Sequence, residues 1–359
     1  MRFRIFGTCV GAVLLLAAGA LHAETADFKG EKITLIVPYK TGGGATVYTR
    51  YLAPLLEKHL PGNPSTIVKN IPGGSSLKAL NWFARTATDD GKLVSNTGPA
   101  FFIKSLIGEP AVKYNTADFT PLIASRNGWL VYLRPELGET TGGFDKVKGK
   151  VLRYGGRSPT TGEMLVLIGF EMLGVPLKPI WGLSSGKRRQ AFMRNEIDIG
   201  QDTMSSYHKH VVALIKEGQA VPWFTVGYID DKGAVVRDPM LPDIPSFKEM
   251  YVKVHGKEPS GMAWEAYKAV LNIRVMSIRT LIIPRKTKPE ILQAYRVAME
   301  KVVSDPAVTG EKGKRVLGPY PHSIGAKAEQ VMKAATEMDP KVTAWLKKWL
   351  RDKYGVGKS

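Results

Sequence analysis

Cysteine is nearly missing from this 359-residue chain: the one copy, Cys9, lies in an N-terminal apolar run. Past that run there is no thiol, which excludes a zinc–cysteine site, a redox dithiol and a disulfide framework. No HExxH pair occurs, and His208 and His210 stand two apart, so on a helix they point in different directions and read as a solvated pair. The glycine-rich stretch GGGATVYTR at 42–50 lacks the GK[ST] of a phosphate-binding loop, and its glycines do not fit GxGxxG. Basic residues form no stripe. Their densest groups are Lys187, Arg188 and Arg189, then Lys347, Lys348 and Arg351, without interleaved aromatics, so nucleic acid is not an expected partner. Low-complexity tracts and short-period repeats are missing too, which leaves an ordinary globular chain with a hydrophobic core.

The first 23 residues differ in kind from the rest. Arg2 and Arg4 precede an uncharged apolar stretch at 5–21, and small residues end at Ala23. That layout is a secretory signal peptide, with cleavage expected after Ala23 or, as a second candidate, Ala20. Export to the periplasm follows. Setting Arg2 and Arg4 aside leaves 49 basic against 32 acidic side chains, a charge of +17. Such a surplus favours anionic partners.

Short apolar runs alternate with helical spacing along the remainder. Strands are expected at 33–37, 65–70 and 92–96, with helices at 47–56 and 77–87 between them. Pro54 interrupts the first helix and should kink it. The same β-α-β-α-β order recurs with strands at 151–154, 178–181 and 197–200 and helices at 163–173 and 187–195. Two such units predict an α/β chain of two lobes, each a mostly parallel sheet flanked by helices, with ligand-facing loops at the carboxyl ends of the strands. Further strands are expected at 223–227 and 277–283. Thr287 is the expected cap of a helix at TKPE, and Asp339 with Pro340 opens a last amphipathic helix. Val342, Trp345, Leu346 and Trp349 share one face of it, expected to pack on the first lobe.

One catalytic pattern is present. GLSSG at 182–186 fits the GxSxG nucleophile elbow around Ser184, with Asp230 and His255 downstream in triad order. A secreted serine hydrolase is therefore the alternative reading. Against it, the preceding strand contains Pro179 and no HGGG-like oxyanion loop occurs.

Anion binding accounts for more of the chain. A glycine-rich turn leading into a helix exposes backbone N–H groups at the positive end of the helix dipole. Three turns qualify. They comprise Gly42, Gly43, Gly44, Ala45 and Thr46; Gly73, Gly74 and Ser75; and Ser158, Thr160 and Thr161, with Arg157 adding a cation able to pair with a carboxylate. Thr97, opening the TGPA segment after the third strand, belongs with them. Without an acid–base pair, a metal set or a cofactor motif, such a site holds an anion and does no chemistry to it. Trp129, Trp181 and Phe101 read as core.

These segments resemble a known family. VPYKTGGGATVYTRYL, VKNIPGGSS and TDDGKLV look like the opening domain of the periplasmic solute-binding proteins of tripartite tricarboxylate transporters, the Bug family. The shared features are Val37–Pro38, the glycines at 42–44, Thr49–Arg50, Asn70 with 72–75, and Asp90–Gly91. YGGRSPTTGEMLVLIGFEMLG, NEIDIGQDTMSS and LPDIPSF extend the resemblance over nearly the whole chain. It implies a type II periplasmic-binding-protein fold, a Venus flytrap, with lobe 1 at 28–125 plus 238–355 and lobe 2 at 126–237. It further implies a monomer that closes on a small organic carboxylate and delivers it to membrane permease subunits, with no cofactor. By position, the two turns of lobe 1 would hold one carboxylate, the 158–161 turn would meet the other end of the ligand, and Asp202 would lie near the cleft. Where the family carries an aspartate in the first turn this chain has Thr46, and PGAG has become PGGS. Losing that acid removes repulsion beside an anion site, which suits a more anionic ligand.

Overall fold

A computed structural model describes residues 26–138, 140–230 and 232–357. The signal-like segment and Cys9 lie outside the described residues.

Thirteen strands occur among these residues. In chain order they are β1 (Lys32–Val37), β2 (Ser65–Asn70), β3 (Leu93–Thr97), β4 (Phe119–Ser125), β5 (Trp129–Leu133), β6 (Leu152–Gly155), β7 (Leu177–Ile180), β8 (Ile199–Thr203), β9 (Val221–Thr225), β10 (Tyr228–Ile229), β11 (Val235–Val236), β12 (Arg279–Pro284) and β13 (His322–Ile324). A six-stranded sheet has the order β13-β4-β12-β3-β1-β2, and a five-stranded sheet the order β7-β6-β8-β5-β9. Helices flank both, giving the two-lobed α/β fold the sequence predicts. The expected parallel pairing holds for β2-β1-β3 and for β7-β6-β8. The other neighbours are antiparallel, because β12 inserts between β3 and β4, and β5 between β8 and β9. Both sheets are therefore mixed.

Position in the sheet explains the strand sequences. The edge strand β2, STIVKN, alternates exposed and half-buried residues, whereas β4 and β5 are buried at every position. These two sealed strands belong to different sheets and are joined only by Arg126, Asn127 and Gly128, so the crossover is drawn inside the molecule. Helix Gly44–His59 runs unbroken through Pro54 and buries Tyr48, Leu52, Leu55 and Leu56 together with Tyr295, Ala298 and Met299 of helix Pro289–Ser304. Burying each such side chain stabilises the fold by about 1.5–3 kcal/mol.

Two terminal expectations need correction. Thr287 does not cap its helix: its hydroxyl donates to the Pro284 carbonyl at 2.6 Å, and Lys288 occupies the cap position. Asp339 does cap the last helix, accepting from the Lys341 amide at 2.7 Å. That helix, Pro340–Tyr354, packs on both sides rather than on the first lobe alone: Thr343 and Leu346 line one apolar hollow with Ile103 and Leu106 of helix Pro99–Leu106. Trp349 Nε1 donates to Glu171 Oε2 at 2.7 Å and Tyr354 meets Trp181 edge-on at 6.1 Å, both partners belonging to the second sheet's surroundings. Helices Phe247–His255 and Gly261–Leu271 sit on that side too, with Phe247 against Phe224 and the Tyr267 hydroxyl on the Val226 carbonyl. The apolar stripe was legible, but amphipathicity does not say which of two sheets covers it.

Candidate functional site

The first glycine turn leaves β1 and enters helix Gly44–His59. Gly43 occupies the cap position without a side-chain hydrogen bond, and no acid stands in the first turn. The positive helix end is thus left uncompensated from within. Gly42 needs its positive φ of 80°. At Gly44 the reason is proximity: a Cβ there would lie 3.3 Å from Arg279 Nη2, so the guanidinium rests against the bare turn. Thr46 is buried, like Ala45, and its hydroxyl is already used, donating to the Lys40 carbonyl at 3.3 Å and accepting from Asn70 Nδ2 at 2.8 Å. Its role is to tie the turn to the end of β2.

The second turn is strained. Gly73, Gly74, Ser75 and Ser76 have φ of 139°, 54°, 50° and 89°, a left-handed run that costs free energy at the two serines. Helix Leu77–Thr86 starts from it without a side-chain cap, as does helix Pro99–Leu106, whose proline takes the first turn. Ser76 Oγ and, at the end of β3, Thr97 Oγ1 are buried without hydrogen-bond partners.

The third turn follows β6 and crosses to the first lobe. Arg157 lies over the Tyr39 ring at 5.5 Å, beside the first turn, and its Nη2 donates to Ser185 Oγ at 3.1 Å. Lys104, buried on helix Pro99–Leu106, donates to Thr160 Oγ1 at 3.0 Å and to Glu109 at 2.5 Å. The fold therefore brings the first and third turns together through Tyr39, and the third to helix Pro99–Leu106 through Lys104. The hydroxyls expected to meet a ligand are spent locally. Ser158 and Thr160 share a hydrogen bond of 3.1 Å, and Thr161 Oγ1 contacts the Ser158 carbonyl at 2.8 Å and Glu163 Oε2 more closely. Asp202 is enclosed in its own lobe by Arg189 at 2.6 Å and the Tyr132 hydroxyl at 3.1 Å, with burial pushing its carboxyl up.

Three further arginines, Arg188, Arg274 and Arg279, stand near these turns. Arg188 is paired within the protein: its guanidinium meets Glu163 at 3.4 Å and the Gln201 carbonyl at 2.8 Å, with Nε buried and without a partner among the described residues. Burial pushes the Glu163 carboxyl up, but Arg157, Arg188 and the Thr161 hydroxyl outweigh it and hold the group below its ordinary value. Arg279 is half-buried, with one nitrogen on the Ile278 carbonyl at 2.9 Å. Burial, with Arg157 adding to it, lowers its pKa. Arg274 is only 6% exposed and stacks on Trp129, its guanidinium carbon 3.6 Å from the ring centre. Burial pushes it down to about 9; Arg279, Arg157 and Arg188 reinforce that and Glu163 opposes it. Arg274 stands in a π-helical turn, Asn272–Met276, that carries the chain into β12, and a Cβ on Gly162 would come within 2.5 Å of its side chain. The sequence signal for both arginines was VLNIRVMSIRTLII at 270–283, where charge interrupts an otherwise core-like run.

The hydrolase constellation is not assembled. Asp230 accepts the amides of Lys232 and Ala234 in the turn between β10 and β11. His255 Nε2 bonds the Met172 carbonyl at 2.9 Å and its ring lies against Tyr251. Ser184 caps the backbone start of helix Ser185–Met193 with no side-chain hydrogen bond.

No protein-family model and no curated protein matches the sequence. Solved structures do match in fold. A TctC solute-binding protein from Polaromonas is similar at 19% identity, covering 89% of this chain and 98% of that one with a TM-score of 0.59. MatC from Rhodopseudomonas palustris, solved with bound malate, has 17% identity, 88% and 98% coverage and a TM-score of 0.63. The R. palustris protein Rpa4515, solved with adipate, has 19% identity, 89% and 96% coverage and a TM-score of 0.65.

Proposed function

We propose that this chain is a periplasmic solute-binding protein that captures a small organic carboxylate between its lobes and presents it, unaltered, to the permease subunits of a tripartite tricarboxylate-type transporter. The observation carrying this reading is the charge balance where the turns meet. Arg157, Arg274 and Arg279 converge beside uncapped helix starts, and the one buried carboxylate among them, Glu163, is already committed to Arg188 and Thr161. Buried positive charge of that kind is stabilised by an anion, through charge-assisted hydrogen bonds and helix N-termini. Malate and adipate in two neighbours of the same fold are in keeping with it. The lobes are taken as 28–125 plus 238–355 and 126–237, with the crossovers as hinge, the late helices bridging onto the second sheet. On this reading the protein acts as a monomer and needs no cofactor, and GLSSG is a turn beside the cleft.

A thermal-shift screen of aliphatic and aromatic carboxylates at low salt tests this. At a hundredfold excess over the dissociation constant a ligand adds about 2.7 kcal/mol of stability, a shift of a few degrees. No shift with any acid, together with ester turnover abolished by Ser184→Ala, would instead establish the hydrolase.

A further inference from the structure

Arg274 and Trp129 form a feature the glycine turns do not require. Arg274 Nη1 and Trp129 Nε1 are both buried donors without a hydrogen-bond partner among the described residues. They belong to residues 6% and 2% exposed, with the Arg274 guanidinium carbon 3.6 Å from the Trp129 ring centre. Two adjacent N–H donors sealed from water at this depth, one of them cationic, are costly unless something accepts from them. The described residues offer no acceptor: Glu163, the buried acid acting on Arg274, gives its oxygens to Thr161 and Arg188. Position completes the argument. The Arg274 side chain lies against Gly162 and Pro99, which is where the third turn meets the start of helix Pro99–Leu106. Arg279 instead lies against Gly44 at the first turn. The two cations thus stand at different turns, and each can neutralise a separate negative charge.

We infer that Arg274, with Trp129, is a specificity-determining subsite that selects ligands bearing a second anionic group, so that the preferred solute is a dianion held at Gly44–Arg279 by one end and at Arg274–Trp129 by the other. This rests on the carboxylate-binding reading above. A monoanion leaves one guanidinium buried and unpaired; a dianion satisfies both. The Trp129 ring covers the guanidinium on one side, and a carboxylate or another planar-oxygen anion suits the remaining N–H donors.

The test is calorimetric titration of the full exported chain with length-matched pairs: butyrate and succinate, hexanoate and adipate, benzoate and phthalate. At least one dianion should bind about tenfold or more tighter than its monoanionic partner. Arg274→Gln should erase that ratio, and Trp129→Phe, which keeps the ring and removes the N–H, should reduce it by about threefold to tenfold. The charge series on the unmodified protein stands even if a variant fails to fold. Equal affinity within every pair that binds would overturn the subsite while leaving carboxylate binding intact. Failure of all six acids to bind would overturn the carboxylate reading itself, and the subsite with it.

Discussion

Arg188 and Arg274 are buried to almost the same degree, 3% and 6% exposed, and lie within electrostatic reach of the same Glu163, yet they solve burial in opposite ways. Around Arg188 the protein supplies Glu163 and the Gln201 carbonyl, leaving Nε without a partner among the described residues, and nearby Asp202 is bonded by Arg189 and Tyr132. Around Arg274 it supplies an aromatic face and no acceptor for Nη1. A paired buried charge is part of the scaffold. An unpaired one beside uncapped helix starts is a demand for a ligand. The distinction lies in the partners rather than in residue type or depth.

The largest expected effect breaks the first half of that comparison. Arg188→Ala leaves Glu163 buried without its partner and should cost about 3–5 kcal/mol in urea denaturation. Next comes a base that can escape the problem by shedding its proton. Burial pushes the His322 imidazole down to about 4 while its Nδ1 lies 2.8 Å from Ser125 Oγ, which in turn meets the Tyr48 hydroxyl at 2.6 Å. Because the unfolded chain takes up this proton first, the contribution is fully present above the ordinary histidine range. It falls away as pH drops from about 6.5 towards 4, by up to about 3 kcal/mol. His322→Gln should flatten the stability–pH curve in that window.

Arg274→Met should move stability the other way. Removing an unpaired charge while keeping an aliphatic stem on Trp129 should raise the midpoint of the ligand-free protein by an equivalent of about 1–2 kcal/mol, and abolish the extra gain that a dicarboxylate gives over its monoanionic partner. Thr46→Asp places a carboxylate in a buried turn beside the anion site, and calorimetry should show about tenfold weaker carboxylate binding, or about 1.4 kcal/mol. Tighter binding would mean that Thr46 does not favour a more anionic ligand. Smallest of all, Ser184→Ala should change neither the unfolding midpoint nor ligand affinity by more than about 0.5 kcal/mol.

Much of the frame was readable from sequence because it is local. The runs at 33–37 and 65–70 and the glycines at 42–44 and 73–74 declare strand, turn and helix start within a few residues. The site's chemistry was less legible. Thr46, Ser158, Thr160 and Thr161 were read as ligand-facing hydroxyls, but residue type cannot show that Asn70 and Lys104 donate to Thr46 and Thr160, or that Thr161 donates to Glu163. Arg274 and Arg279 come from a segment more than 100 residues past the third turn. They reach the cleft only because a π-helical turn and β12 return the chain between β3 and β4. No periodicity announces such a crossing. The last helix was half legible for a related reason: its stripe was visible, but Glu171 and Trp181, which give it a second side to pack on, are distant in sequence.

The most direct measurement is a crystal structure of the protein with the tightest-binding dicarboxylate from the titration. The account predicts one carboxylate at the Gly44 turn beside Arg279, and the other within about 3 Å of Arg274 Nη1 or Trp129 Nε1. A ligand bound elsewhere, or one leaving both of those donors without an acceptor, would contradict it.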